Sequence, residues 1–219
     1  MNRGADETPD PFALPNGGLA RLVANGPQRR YRKGMHLINE GEHGDTLFVI
    51  LSGRVRAYSV DLRDREITYG VYGPGETLGE MSLDGGPRSA SVVALEPTCC
   101  ALVTRETLLV HIASHPEFAL ELLAKVIARA RMATLSARNM ALLDVYGRLV
   151  SVLEKHDGVS TTHADGRVTL EAITHQEIAS RVGASREMVS RLLKDLEKGG
   201  YIEMGTKRLV LLKKLPARW

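Results

Sequence analysis

Hydrophobic and polar positions change rhythm twice along the chain. Between residues 31 and 103, apolar-rich runs are separated by Gly34, Gly41, Gly44, Gly53, Gly70, Gly73, Gly75, Gly79, Gly85 and Gly86. The runs at 46–51, 55–60, 66–72, 91–95 and 99–103 predict short strands, and short strands with glycine turns predict an antiparallel sandwich or barrel. Pro116, a favourable first-turn residue, opens a stretch to about Val145 with no further glycine or proline. This predicts a helix of roughly 29 residues, a rod of about 43 Å. Along it Leu120, Leu123, Ile127, Ala130, Thr134, Ala137 and Ala141 recur at steps of three and four. Such a 3.5-residue seam suits a two-stranded coiled coil, so this segment is expected to pair with a second copy; packing on its own sheet is the alternative.

The third rhythm is shorter. A turn-like segment at 156–166 and a strand near 167–170 precede a compact helical pair. Thr174 is placed to cap a helix through Val182, Gly183 permits a bend, and Ser185 caps a second helix through Lys198, where Gly199 and Gly200 end it. A hairpin at 201–204 and 208–212 follows. The first 18 residues carry three prolines, three glycines and acidic side chains without periodicity, and read as a flexible lead-in.

Composition narrows the function. The chain has 219 residues, enough for one or two domains. No unbroken apolar run exceeds the five residues of 47–51, whereas a membrane-spanning helix needs roughly 20. No export signal follows Met1, so a soluble cytoplasmic protein is expected. Adjacent Cys99 and Cys100 cannot build a disulfide framework or a four-ligand metal site, and an apolar run favours packing in a sheet. His111 and His115 stand four apart without a third ligand, and no nucleophile–base pair is evident. Neither a metal nor a catalytic site is expected, nor a covalent cofactor. Net charge is +3, but residues 145–219 hold 13 Lys+Arg against 9 Asp+Glu, while residues 1–144 hold 16 against 17. The basic excess therefore lies wholly in the last third, which suits an acidic partner there.

The helical pair gives that partner a chemistry. Ile178, Ala179, Val182, Val189, Leu192, Leu193 and Leu196 can close a small core, leaving Arg186, Glu187, Ser190, Arg191 and Lys194 on the opposite face of the second helix. Arginine can contact guanine bidentately and glutamate can accept from a cytosine amino group in the major groove. A helix-turn-helix that binds double-stranded DNA is the expectation.

From Ile173 through Arg191 the chain resembles the DNA-binding motif of the cyclic AMP receptor protein (Crp/Fnr) family of bacterial transcription regulators. The resemblance implies that Arg186, Glu187 and Arg191 read base pairs of a half-site like TGTGA, and that Thr174 and Gln176 contact phosphate. It adds Ser185 to the DNA-contacting set. The sequence 143–148 resembles the hinge between dimer helix and DNA-binding domain, and 162–166 a surface loop that touches RNA polymerase. The N-terminal half resembles the cyclic-nucleotide-binding jelly roll of the same family, through Gly34, Gly41, Asp45, Phe48, Ile50 and Gly53. Residues 79–90 resemble its phosphate-binding cassette, implying ligand contacts from Gly79, Glu80, Met81, Arg88 and Ser89. The chemistry of these residues agrees: a cyclic phosphate suits the Arg88 fork and the Ser89 hydroxyl, a ribose hydroxyl suits the Glu80 acceptor, and Gly79 lets the backbone come close.

The sequence departs from the family at two places. The cassette is shorter between Glu80 and Arg88, and the hydroxyl pair that meets adenine falls on Ala133 and Thr134. Thr134 can donate or accept, so alone it does not choose adenine over guanine. Arg129, Arg131 and Arg138 could serve a guanine or a second phosphate of cyclic di-GMP, or stand on a solvated rim. The expected protein is α+β: a lead-in (1–18), a cyclic-nucleotide-binding jelly roll (19–115), a dimerisation helix (116–145) and a winged helix-turn-helix (146–219). As a homodimer it would bind a pseudo-palindromic promoter in response to cyclic AMP, with RNA polymerase as a further partner. Cyclic GMP, cyclic di-GMP or no ligand are the alternatives for the switch, and a small-molecule-binding module without a DNA role is the alternative function.

Overall fold

A computed structural model describes residues 17–24, 26–62, 64–154, 160–171, 173–206 and 208–216. Most of the expected lead-in, residues 1–16, lies outside these; the chain is helical from Gly18. Two compact units form, Met1–Ser59 with Tyr69–Arg129 and Val60–Thr68 with Ala130–Trp219.

From the N-terminus α1 (Gly18–Val23) leads into β1 (Gln28–Tyr31), β2 (His36–Ile38), β3 (Leu47–Ser52), β4 (Val55–Val60), β5 (Glu66–Tyr72), β6 (Thr77–Leu78), β7 (Ser91–Ala94) and β8 (Thr98–Val103), of which residues 60–68 belong to the second unit and the rest to the first. One sheet runs in the order β1-β8-β3-β6, the other β2-β7-β4-β5. β3 explains why its run is unbroken rather than alternating. Leu47, Val49 and Leu51 enter a core with Leu22, Val103, Leu108 and Phe118, while Phe48 and Ile50 enter a second core with Tyr31, Val55, Leu78 and Val92. β8 does the same, with Cys99 and Ala101 on the first side and Cys100 on the second. A strand covered on both faces has no polar side. Cys100 is wholly buried, and burial pushes its thiol up to about 12, which makes it an inert packing residue.

Next come α2 (Arg105–Ser114), capped by Thr104 accepting from the Thr107 N–H at 3.2 Å, and α3 (Glu117–Leu142). At the α2–α3 corner the His111 and His115 rings stack with centroids 4.7 Å apart, and the Phe118 ring meets His111 edge-on at 4.9 Å. Burial first, then His115, pulls the His111 imidazole below its ordinary 6.5, against a hydrogen bond with the Gly18 backbone. Because the folded state favours the neutral ring, this contribution is complete above 6.5 and is lost as pH falls from there toward the lowered folded value. The melting temperature of the intact protein should therefore drop as pH falls below the ordinary 6.5, and drop less in His111→Gln. An equal drop in both proteins would assign the acid sensitivity elsewhere.

The second unit contains α4 (Val145–Glu154), β9 (Ser160–Thr162), β10 (Val168–Glu171), α5 (His175–Val182), α6 (Arg186–Lys198), β11 (Ile202–Gly205) and β12 (Arg208–Leu211). Its sheet runs β11-β12-β10-β9, with β10 and β12 antiparallel. Leu149, Leu153, Leu170, Ile178, Val189, Leu193, Leu196 and Ile202 form its core. The long helix stops at Leu142, short of the expected Val145, because Asp144 caps α4: its Oδ1 accepts from the Gly147 N–H at 2.7 Å. The segment expected as a turn at 156–166 holds β9 at Ser160–Thr162; residues 155–159 are outside the described ones.

Candidate nucleotide pocket and nucleic-acid interface

The cassette is built on the β3–β6 pairing, where Val49 faces Thr77 and Phe48 faces Leu78. Gly79 then turns left-handed at φ 87° into a 3-10 segment, Glu80–Ser82. A side chain at residue 79 would be strained there, and its Cβ would meet Arg88 Nη1 and lie 2.7 Å from the Thr46 carbonyl. The space is needed by Arg88, which is 7% exposed. Its Nη1 donates to the Gly79 carbonyl at 3.0 Å and its Nη2 to the Thr46 carbonyl at 2.9 Å. The Arg88 N–H donates to the Glu42 carbonyl at 2.8 Å, strapping the cassette to the preceding turn. Burial lowers the guanidinium below its ordinary value, opposed by Asp45, Glu80 and Glu42. Arginine remains charged under such a shift, so a buried, oriented cation results.

The Glu80 side chain is 8% exposed, with Oε1 2.6 Å from Arg129 Nη1. Its other oxygen, Oε2, is buried without a hydrogen-bond partner among the described residues, as are Thr77 Oγ1 and Ser82 Oγ. An ionised carboxylate oxygen left in this condition is costly, and a ligand hydroxyl would satisfy it. Ser89 and Met81 are exposed, and the Ser89 hydroxyl makes a 3.3 Å contact to the Met81 sulfur, a weak acceptor. A ligand oxygen would be a better partner. Gly79, Glu80, Met81, Arg88 and Ser89 are thus gathered within one unit.

Arg129 was legible in the sequence as a rim residue or a partner for a second phosphate, and the structure gives it a different partner. Besides pairing with Glu80, its Nη2 donates to the Thr77 carbonyl and its guanidinium lies 4.8 Å from the centre of the Tyr72 ring. Arg131 and Arg138 are exposed. Thr134 belongs to the second unit; it is exposed, and its hydroxyl donates to the Ala130 carbonyl at 2.9 Å.

The helical pair follows from its caps. Thr174 and Glu177 form a reciprocal capping box: Thr174 Oγ1 accepts from the Glu177 N–H at 3.2 Å, while Glu177 Oε2 accepts from the Thr174 N–H at 2.8 Å. Gly183 ends α5 left-handed at φ 67°, and Ser185 caps α6 by accepting from the Met188 N–H at 3.2 Å. Val189, Leu193 and Leu196 are fully buried; Arg186, Glu187, Arg191 and Lys194 are exposed, and Ser190 is half-buried. Gln176 is exposed near the α5 N-terminus, where backbone N–H groups favour an anion, whereas the Thr174 hydroxyl is engaged with Glu177. His175, which the sequence did not single out, lies 2.8 Å through Nδ1 from Ser190 Oγ. Arg148 in the hinge-like segment donates through Nε to the Val182 carbonyl and through Nη1 to the Leu143 carbonyl, both at 2.8 Å. The 162–166 segment includes the turn of the β9–β10 hairpin, where Gly166 has φ 83° and Asp165 binds Arg167 at 2.7 Å. Among the described residues no helix is long and apolar enough to cross a membrane, and no cluster of three or more His, Cys, Asp or Glu could hold a metal ion.

Comparisons with known proteins agree on both units. Residues 28–115 match the cyclic nucleotide-binding domain and residues 147–217 the Crp-like helix-turn-helix domain. The chain is 36% identical over 179 residues to the cyclic AMP receptor protein of Thermus thermophilus, covering 81% of this chain and 80% of that one. It is 31% identical over 209 residues to the CRP-like protein Clp of Xanthomonas oryzae, covering 91% and 90%. The solved structure of the c-di-GMP responsive global regulator CLP of Xanthomonas campestris superposes with a TM-score of 0.79 at 27% identity, covering 90% of this chain and 98% of that one. These relatives are regulators rather than enzymes. The chain belongs to the Crp/Fnr family, as a ligand-responsive transcription regulator with a cyclic nucleotide-binding domain and a DNA-binding helix-turn-helix.

Proposed function

We propose that the protein is a cytoplasmic homodimer that binds cyclic AMP and then a pseudo-palindromic promoter site with TGTGA-like halves. The carrying observation is the buried Oε2 of Glu80, without a hydrogen-bond partner among the described residues, in the same cassette as the buried Arg88 fork. A cyclic phosphate and a ribose hydroxyl are complementary to that pair. The 36% identity to a cyclic AMP receptor protein supports the choice of ligand. The α3 seam supports the dimer: Leu120, Leu123 and Ile127 are 69%, 51% and 41% exposed in the single chain, a stripe that a second copy would cover. Paired subunits would present two α6 helices to half-sites about 34 Å apart, with ligand acting through its differential affinity for two subunit arrangements. RNA polymerase is the proposed further partner, through the 162–166 turn.

A second reading, cyclic di-GMP as effector, is favoured by the likeness to the c-di-GMP responsive regulator of Xanthomonas campestris. Titration calorimetry of the purified protein with cyclic AMP, cyclic GMP and cyclic di-GMP separates the two. Saturable binding of cyclic AMP, one per chain, together with tighter promoter binding is the expected result. Binding of cyclic di-GMP alone transfers the proposal to the second reading. Silence toward all three nucleotides overturns the pocket and leaves a DNA binder without this switch.

A further inference from the structure

We infer that His175 is a positioning residue for DNA recognition: it engages the Ser190 hydroxyl, ties its hydrogen-bonding polarity to the imidazole, and so narrows the base that Ser190 accepts. The inference rests on the proposed reading that α6 lies in the major groove. Its own evidence is the 2.8 Å contact between His175 Nδ1 and Ser190 Oγ. Both ends of that contact are firmly placed. His175 is the first residue of α5, directly after the Thr174 cap, and α6 is fixed by the Ser185 cap and by the buried Val189 and Leu193 on either side of Ser190. Ser190 stands one turn beyond Arg186 and Glu187 and next to Arg191, among the exposed reading residues, yet is itself half-buried.

A serine hydroxyl carries one proton and two acceptor lone pairs and rotates to suit its neighbour. Left free, it would donate to an acceptor such as a purine N7 or thymine O4, or accept from an adenine or cytosine amino group. A ring nitrogen at 2.8 Å occupies one hydrogen-bonding direction of the hydroxyl and ties its polarity to the imidazole tautomer. If Nδ1 donates, the Ser190 proton is left for a base acceptor; if Nδ1 accepts, the Ser190 proton is spent and its lone pairs face the base. In each tautomer His175 need not touch DNA to affect the choice of base. The contact could not be found from sequence spacing, because it joins successive helices across the turn.

The test is selection of randomised double-stranded half-sites by the full-length protein and by three variants, Ser190→Ala, His175→Ala and His175→Asn, with each melting temperature recorded. Asparagine can place a polar atom near Nδ1, so it can replace the contact without an imidazole. The expected result is a loss of preference at one and the same base pair in Ser190→Ala and His175→Ala, by roughly fivefold, the scale of one hydrogen bond. His175→Asn should restore most of it, and preferences elsewhere in the half-site should persist. The inference is overturned if His175→Ala weakens binding equally for all sequences with the Ser190-dependent preference intact, or if His175→Asn behaves like His175→Ala. If the unmodified protein selects no base anywhere, the groove-reading assignment of α6 fails first and this inference with it. A selective unmodified protein with an unchanged His175→Ala profile sinks the positioning role alone.

Discussion

Replacing Arg88 with leucine is expected to raise the dissociation constant for the cyclic nucleotide at least about a hundredfold, on the scale of losing one partner of a buried, hydrogen-bonded charge pair. The structure adds a cost in stability. Arg88 donates to the Gly79 and Thr46 carbonyls, so the leucine leaves two acceptors without these partners in a tight turn. A buried polar group left unsatisfied costs about 1–3 kcal/mol, so the variant should melt earlier than the parent while keeping the fold. Arg88→Lys separates the two effects, since it retains charge but not the planar fork. Calorimetry below both melting temperatures is the measurement. Parental nucleotide affinity in folded Arg88→Leu would remove Arg88 from the site and leave it a structural strut.

Replacing Arg186 with alanine should act on selectivity rather than on folding. Arg186 is the first residue of α6 and is exposed, and the Ser185 cap and the buried Val189 are independent of its side chain. Surface changes of this kind alter stability by no more than about 0.5 kcal/mol. Loss of a bidentate contact to guanine should cost about 1–3 kcal/mol of discrimination at one base pair of each half-site. Competition binding across single-base variants of the site measures it. Uniform weakening across every variant, with a shallower salt dependence, would make Arg186 a phosphate contact instead.

How much of this was legible beforehand depended on whether the signal was local. Thr174, Gly183 and Ser185 announced the helical pair because caps and a left-handed glycine act within a few residues of themselves. The runs around 47–51 and 99–103 were readable as strands, and the two cores explain their unbroken apolarity. β1 escaped because Tyr31 is its buried residue, so no alternation develops, and β6 is two residues long. α2 escaped because Leu108 is its buried residue while Leu109 and Val110 are exposed, which blurs the helical stripe. In the proposed pocket, Gly79, Glu80, Arg88 and Ser89 are legible as a group because they sit in one short stretch. The Glu80–Arg129 pair was not, since tertiary folding alone brings α3 to the cassette.

α6 keeps packing and the proposed base reading on separate side chains. Val189, Leu193 and Leu196 carry the packing, while Arg186, Glu187, Arg191 and Lys194 point away from it. Changes at those four exposed positions can therefore accumulate with little cost to folding, and the promoters a descendant addresses can drift while its scaffold stays constant. Ser190, in contact with His175, is the exception: if it reads a base as proposed, a substitution at either of two positions on different helices alters that reading, and the two changes are not independent.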